Sequence, residues 1–170
     1  MGIWKLCKLK EIAEITMGQS PKSEYYNFIG EGTPFLQGNR TFGRKYPTFD
    51  TYTTNVTKMA TKGSVIMSVR APVGDINITP VDMCLGRGVC GIRMKNDNQT
   101  FLYYLIKSNV GHIINKENGT VFGSINKKDI DELDVYIPEL NEEQQTLGNT
   151  MACIDEKIEL NSMINDNLAA

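Results

Sequence analysis

The sequence is short of the residues that most often mark chemistry. It has one histidine, His112, one tryptophan, Trp4, and four cysteines, Cys7, Cys84, Cys90 and Cys153, scattered over 170 residues. Cys84 and Cys90 are the only near pair, and no Cys/His spacing of a zinc site is present. Four free thiols in a reducing cytoplasm, and no metal, are therefore expected. No apolar run approaches the ~20 residues of a membrane span. The opening MGIWKLCKLKEIAEI carries lysines and no uninterrupted apolar stretch, so no secretory leader is expected. His112 has no Ser, Cys or acid at catalytic spacing, and no carboxylate pair points to acid–base work. There is no GxxxxGK[S/T] phosphate loop and no Asn/Asp-Pro-Pro-Phe/Tyr motif of amino-methyltransferases. Gly86-Arg87-Gly88-Val89-Cys90-Gly91 spells GxGxxG, but the residues after it read as a strand, whereas a dinucleotide fingerprint opens a helix. Enzymatic function has no positive support.

What is present is an ordinary globular composition with an uneven charge. Hydrophobic residues make up 41% and charged ones 22%, enough for one domain with a core and an appendage. The net charge of −2 hides a segregation. Residues 1–128 hold 17 basic and 9 acidic side chains, a balance of +8; residues 129–170 hold one lysine, Lys157, against 11 acids, a balance of −10. A basic body with an acidic tail points to a polyanionic partner for the body.

Periodicity places the elements. In residues 4–17, Leu6, Leu9, Ile12 and Ile15 recur three apart, which predicts a helical turn leading into a strand. Gly18-Gln19-Ser20-Pro21 breaks it, and residues 22–62 read as short β pieces, such as Thr33–Gln37, among loops. Ser64–Val69 and Gly88–Met94 are β-branched apolar runs that predict strands. Residues 100–115 have helical spacing, with Phe101, Leu102, Leu105 and Ile106 on one face. A Gly-rich turn at Asn118-Gly119-Thr120 precedes a strand at Val135-Tyr136-Ile137, and Pro138 ends the domain. From Asn141 onward proline vanishes. Asn141 is predicted as a helix N-cap with acids in the first turn. Leu147, Met151, Ile154 and Ile158 then step by four, three and four, the seam of a coiled coil, which passes Asn161 and Asn165 and returns at Leu168. That stripe must be buried, against a partner helix or by folding back on the domain. The expected organisation is α+β: a mixed α/β domain over 1–140, then a long helix over 141–170.

The loops of the body carry polar and basic side chains suited to DNA. Gln37, Asn39, Arg40, Arg44, Arg70 and Arg87 belong to the types that reach base edges; Ser20, Lys22, Lys45 and Lys127 suit phosphates. Arg70 has a structural alternative, pairing with Asp75.

At these residues the chain resembles the specificity subunits of type I restriction–modification systems. GSVIMSVRAPVGDINIT at 63–79 and DMCLGRGVCGI at 82–92 resemble the middle of that family's target recognition domain. GTVFGSINKKDIDELDVYIPELNEEQQ at 119–145 resembles its closing segment, IDEKIELNSMINDNL at 154–168 its helix, and Trp4 through Pro21 its opening. The resemblance implies a non-catalytic subunit that reads one half of a split double-stranded DNA target and positions methyltransferase and restriction subunits. No cofactor of its own is implied; partner methyltransferases use S-adenosylmethionine. A complete subunit has two recognition domains and two helices; this chain has one of each, so the resemblance implies either a natural half-subunit or a fragment. A homodimer through the helix, with Leu147, Met151, Ile154, Ile158 and Leu168 in the seam, is expected to make good the difference. Two other readings remain open: a helix-mediated interaction or regulatory fragment that does not bind DNA, and a methyltransferase, disfavoured by the missing motifs.

Overall fold

The computed structural model describes residues 2–115 and 123–168. In chain order the elements are β1 (Trp4–Lys8), α1 (Leu9–Ile12), β2 (Ala13–Met17), a 3-10 turn at Ser23–Tyr25, β3 (Tyr26–Asn27), β4 (Thr33–Leu36), β5 (Tyr52–Thr53) and β6 (Met59–Ala60). They continue with β7 (Val65–Ser68), β8 (Ile76–Ile78), β9 (Met83–Leu85), β10 (Val89–Met94), α2 (Gln99–Asn115), α3 (Lys127–Asp131), β11 (Asp134–Pro138) and α4 (Asn141–Leu168). The α+β class expected from the sequence is what the structure has: a strand-rich domain followed by one long helix.

The centre is a four-stranded sheet in the order β2-β10-β7-β8. Its two middle strands are covered on both faces, so they read as continuous apolar runs rather than alternating ones. Val65 and Met67 of β7, with Cys90, Ile92 and Met94 of β10, share a cluster with Leu102 and Ile106 of α2, Ile130 of α3 and Val135 of β11. Ile66 and Val89 point the other way, into a second cluster with Leu36, Ala60, Met83 and Leu85. These come from the five-stranded sheet, ordered β3-β5-β4-β9-β6. Gly91 is the spacer between the layers, since a Cβ there would lie 3.2 Å from both Ala60 and Leu85. Burial pushes the Cys90 thiol up to about 12.

Three sequence expectations need correction. Residues 4–8 form a strand, not the opening of a helical turn: β1 pairs antiparallel with β11 from Trp4↔Pro138 to Lys8↔Asp134. Only Leu9–Ile12 is helical, and the chain re-enters a strand at Ala13. Asn141 is the first helical residue rather than the cap. The carbonyl that accepts from Gln144 N belongs to Leu140, at 3.2 Å, while Asn141 Oδ1 accepts from Asn96 Nδ2 at 2.8 Å. In α2 all six residues from Phe101 to Ile106 are buried, so the predicted face is only part of a helix enclosed on several sides. The turn at Asn118-Gly119-Thr120 lies outside the described residues.

Helix α4, about 42 Å long by the usual rise, uses one face to hold the domain and leaves another bare. Gln144, Gly148, Ala152 and Asp155 form the docked face. Gln144 is 3% exposed: its Oε1 accepts from Asn96 Nδ2 at 3.0 Å and Asn98 Nδ2 at 3.4 Å, and its Nε2 donates to Pro138 O at 2.9 Å. Gly148 lies so close to α2 that a Cβ would stand 2.8 Å from Phe101 N. Tyr104 donates to Asp155 Oδ2 at 2.8 Å. Burial and that hydrogen bond push the Tyr104 phenol well above its ordinary range. The seam residues Leu147, Met151, Ile154 and Ile158 are 38–47% exposed. The side chain of Leu168 lies outside the described residues. Near the end Leu160, Met163 and Ile164 are also exposed, off the seam line.

Two outcomes follow from this packing. Gly148→Val forces α4 away from α2 and is expected to cost about 1–3 kcal/mol, seen as a Tm lowered by about 2–10 °C. Exposed Asn149→Ala should change Tm little, and equal Tm values for the two variants would contradict the close approach. Among the thiols, Cys153 is exposed and Cys7, Cys84 and Cys90 are buried. Alkylation at pH 8 followed by mass spectrometry should mark Cys153 and spare Cys90 until the chain is denatured.

Candidate nucleic-acid interface

The interface is built where three stretches of backbone touch. Gly18 N donates to Val89 O at 3.0 Å, Gln19 N to Leu85 O at 2.9 Å, Gly86 N to Leu36 O at 2.7 Å and Gly88 N to Gln37 O at 2.9 Å. The glycines are required by contact. A Cβ on Gly18 would fall 2.0 Å from Gly86 O, and one on Gly88 2.4 Å from Gln37 O. The letters that mimic a nucleotide fingerprint thus serve a backbone junction, and they hold Arg87 exposed at its tip. Ser20 Oγ accepts from Arg87 N at 3.1 Å, which fixes the tip from the side.

The junction continues as a ladder toward α3. Val69 N donates to Gly88 O at 2.9 Å, Ile125 N donates to Val69 O at 3.0 Å, and Arg70 bridges to Ser124. Asn126 caps α3: its Oδ1 accepts from Asp129 N at 3.2 Å, and Asp129 Oδ2 accepts from Asn126 N at 3.1 Å. The cap places Lys127 at the start of that turn. Between these elements lies an open cleft of about 650 Å³ whose lining includes Met17, Arg70, Ala71, Arg87, Ser124, Asn126 and Lys127. Arg70, Arg87 and Lys127 have no ion-pair partner among the described residues. Three cations that have no ion-pair partner among the described residues thus border one concave surface, the kind of charge arrangement that attracts a polyanion.

The structure brings together only part of the predicted set. Ser20, Gln37, Arg70, Arg87 and Lys127 meet at the junction and its cleft. Asn39 and Arg40 continue from the same loop, but each is held by an acid. Asn39 Nδ2 donates to Asp75 Oδ2 at 2.6 Å. Arg40 pairs with Asp50, and that guanidinium, with the Thr51 hydroxyl, holds the Asp50 carboxyl below its ordinary range. The alternative pairing of Arg70 with Asp75 is not formed; Asp75 accepts from Asn39 instead. Arg44 and Lys45 do not line the cleft. Their loop is pinned across β8, where Ile78 N donates to Lys45 O at 2.8 Å and buried Asn77 bonds both ways to Gly43. Lys45 Nζ lies 5.8 Å from the Tyr46 ring centroid. Lys22 is exposed, 3.8 Å from Glu24. Sequence reasoning missed Ser124 and Asn126; the signal for Asn126 was the Asn-x-x-Asp capping pattern at 126–129.

In sequence and fold the chain is similar to known proteins. Residues 1–170 match the family described as type I restriction modification DNA specificity domain. A type I restriction enzyme specificity subunit of Methanocaldococcus jannaschii, MjaX, is 41% identical over 164 residues, 92% of this chain and 38% of that protein. The HsdS subunit from Thermoanaerobacter tengcongensis superposes with a TM-score of 0.80 at 32% identity, over 92% of this chain and 38% of that one. A chain of a type I R-M system, solved for its complex assembly and conformational transition, gives a TM-score of 0.82 at 33% identity, over 92% of this chain and 39% of that one. The chain therefore spans under two fifths of the length of these relatives. By its match along the whole sequence and its 41% identity to a specificity subunit, this protein belongs to the DNA specificity family of type I restriction–modification systems, with one target recognition domain and one helix.

Proposed function

We propose that the chain reads one half of a split double-stranded DNA target and uses α4 to pair with a second copy and to position methyltransferase and restriction subunits. It performs no catalysis and needs no cofactor; the methyltransferase partner would bring S-adenosylmethionine. The expected compartment is the cytoplasm. The observation that carries the reading is the set of three cations without an ion-pair partner among the described residues, Arg70, Arg87 and Lys127, held around one cleft by a hydrogen-bonded backbone junction in a member of a DNA specificity family. Arg87 is the base reader, because its exposed guanidinium sits on a fixed turn and can meet two acceptors of guanine at once. Lys127 is the phosphate contact, a compact charge at the rim. Asn39 and Arg40 join the reading only by giving up their carboxylate partners.

The proposed dimer follows from α4. Its seam residues are 38–47% exposed, and beyond Asp155 the helix is exposed on every face through residue 167, so a second copy related by a two-fold axis offers the complementary stripe. Asn161 and Asn165 would set register at some cost in stability. Two identical domains on a two-fold axis read the same half-site in opposite senses, so the target is an interrupted palindrome whose gap is set by the helix.

These readings are tested with the chain bound to its methyltransferase subunit. Arg87→Ala is expected to cost about 1–3 kcal/mol on the target and little on random DNA, while Lys127→Ala weakens both alike and lowers the salt slope by about one. Wild-type affinity should fall with salt at a log–log slope of about −4 to −5, for about five phosphates. Affinity indifferent to salt would instead favour a helix-mediated regulatory fragment. Sedimentation of the chain should show a dimer that Ile154→Asp with Ile158→Asp converts to monomer. An asymmetric methylation site, or a wild-type monomer at high concentration, would overturn the pairing.

A further inference from the structure

Two large apolar side chains stand where no packing explains them. Phe28 is 79% exposed and Ile29 84%, more than any other large hydrophobic residue among those described. They are neighbours at the tip of a loop that the structure builds with care. Asn27 Nδ2 donates to Glu31 O at 2.8 Å and Asn27 Oδ1 accepts from Glu31 N at 2.9 Å, closing the loop at its base. Gly30 and Gly32 both adopt φ of +85°, a conformation that L side chains rarely take. Tyr26, just before the clamp, stacks on Phe35 at 4.8 Å between centroids and donates to Pro21 O at 2.8 Å. The clamp closes the base of the loop, and Phe28 and Ile29 stand exposed beyond it.

The topology says what lies beside them. β3 and β4 are each antiparallel to β5, and β4 is parallel to β9. Thus β3, β4 and β9 run the same way; Leu36 and Leu85 end level with each other, and Asn27, level with Pro34 across Tyr52, ends two residues earlier on the same side. The residues that follow are Phe28, Gln37 and Gly86-Arg87. In the strand order β3-β5-β4-β9, the end of β3 lies three spacings, about 14 Å, and two residues, about 7 Å, from the end of β9 that leads into the arginine turn, so both are within the footprint of one DNA half-site. Lys22 and Ser20 lie on the same approach, since Tyr26 is tied to Pro21.

We propose that the Phe28–Ile29 tip is an apolar reading element that buries itself against thymine methyl groups of the half-site while Arg87 reads an adjacent step. This rests on the DNA-reading function proposed above. The occupant is DNA rather than a protein subunit because the tip is continuous with the cationic strand-end edge, whereas the bare apolar face of α4 belongs to another element. An apolar contact of this kind adds sequence preference without neutralising phosphate.

The test compares Phe28→Ser, Ile29→Ser and the double variant with wild type, each bound to the methyltransferase subunit, on the mapped target. The expected result is an affinity loss of about 10- to 100-fold in the double variant with an unchanged salt slope. One thymine-to-deoxyuracil replacement in the half-site should weaken wild type and have no further effect on the double variant. Variants that bind the target like wild type, at every deoxyuracil position, overturn the tip and leave the cleft intact. Loss of methyltransferase co-purification with unchanged DNA affinity in the remaining complex also overturns it, and makes the tip a protein contact. Absence of DNA binding by the wild-type complex overturns both the tip and the reading on which it rests.

Discussion

Backbone meeting backbone at Gly18, Gly86 and Gly88 is the constraint on which the proposed reading surface depends. Hydrogen bonds from Gly18, Gly86 and Gly88 tie the end of β2, the end of β4 and the turn between β9 and β10 into one unit. The same turn extends through Val69 to Ile125 and so reaches α3. Side chains from four separate loops therefore share one rigid base. A surface that must discriminate sequences needs this, because a guanidinium that wanders loses the two-point geometry that distinguishes one base from another. Below the junction, the doubly covered strands β7 and β10 supply the stiffness, and Gly91 lets the two sheets approach to van der Waals distance.

The second organising fact is the division of labour on α4. Polar and small residues, Gln144, Gly148 and Asp155, fasten the helix to the domain, while the apolar stripe stays free. This inverts the usual amphipathic pattern, in which the apolar face turns inward. The inversion works because the docked contacts are specific rather than extensive: a buried amide with three partners, a glycine against a helix backbone and a phenol on a carboxylate. Such contacts fix direction well, and they leave the hydrophobic surface available for association.

Long periodic segments were legible in the sequence. The runs at Ser64–Val69 and Gly88–Met94, the helical spacing of 100–115 and the stripe from Leu147 to Ile158 all match elements of the structure. Two-residue strands such as Tyr26–Asn27 and Met59–Ala60 were not, because pairing with neighbours defines them and no local period exists to be read. The strand at Trp4–Lys8 was hidden for a related reason: its partner lies at the far end of the domain. The site was half legible. Residue type marked Arg70, Arg87 and Lys127 as cations on loops, but the acids that hold Asn39 and Arg40 come from Asp75 and Asp50, and tertiary proximity of that kind leaves no trace in spacing.

The pairing of Trp4 with Pro138 has a consequence for the order of events during synthesis. The first strand of the domain finds its only sheet partner when β11 leaves the ribosome, after the intervening chain has been translated at about 5–20 residues per second. For on the order of ten seconds Trp4, Leu6 and Cys7 have no strand beside them. Contacts this distant in sequence also close slowly, since a long loop must be ordered first. Because α4 follows β11 directly, its apolar stripe leaves the ribosome only after the strand that completes the β1–β11 pair. The half-exposed stripe of a nascent chain therefore reaches water when the strands it is attached to already have their partners.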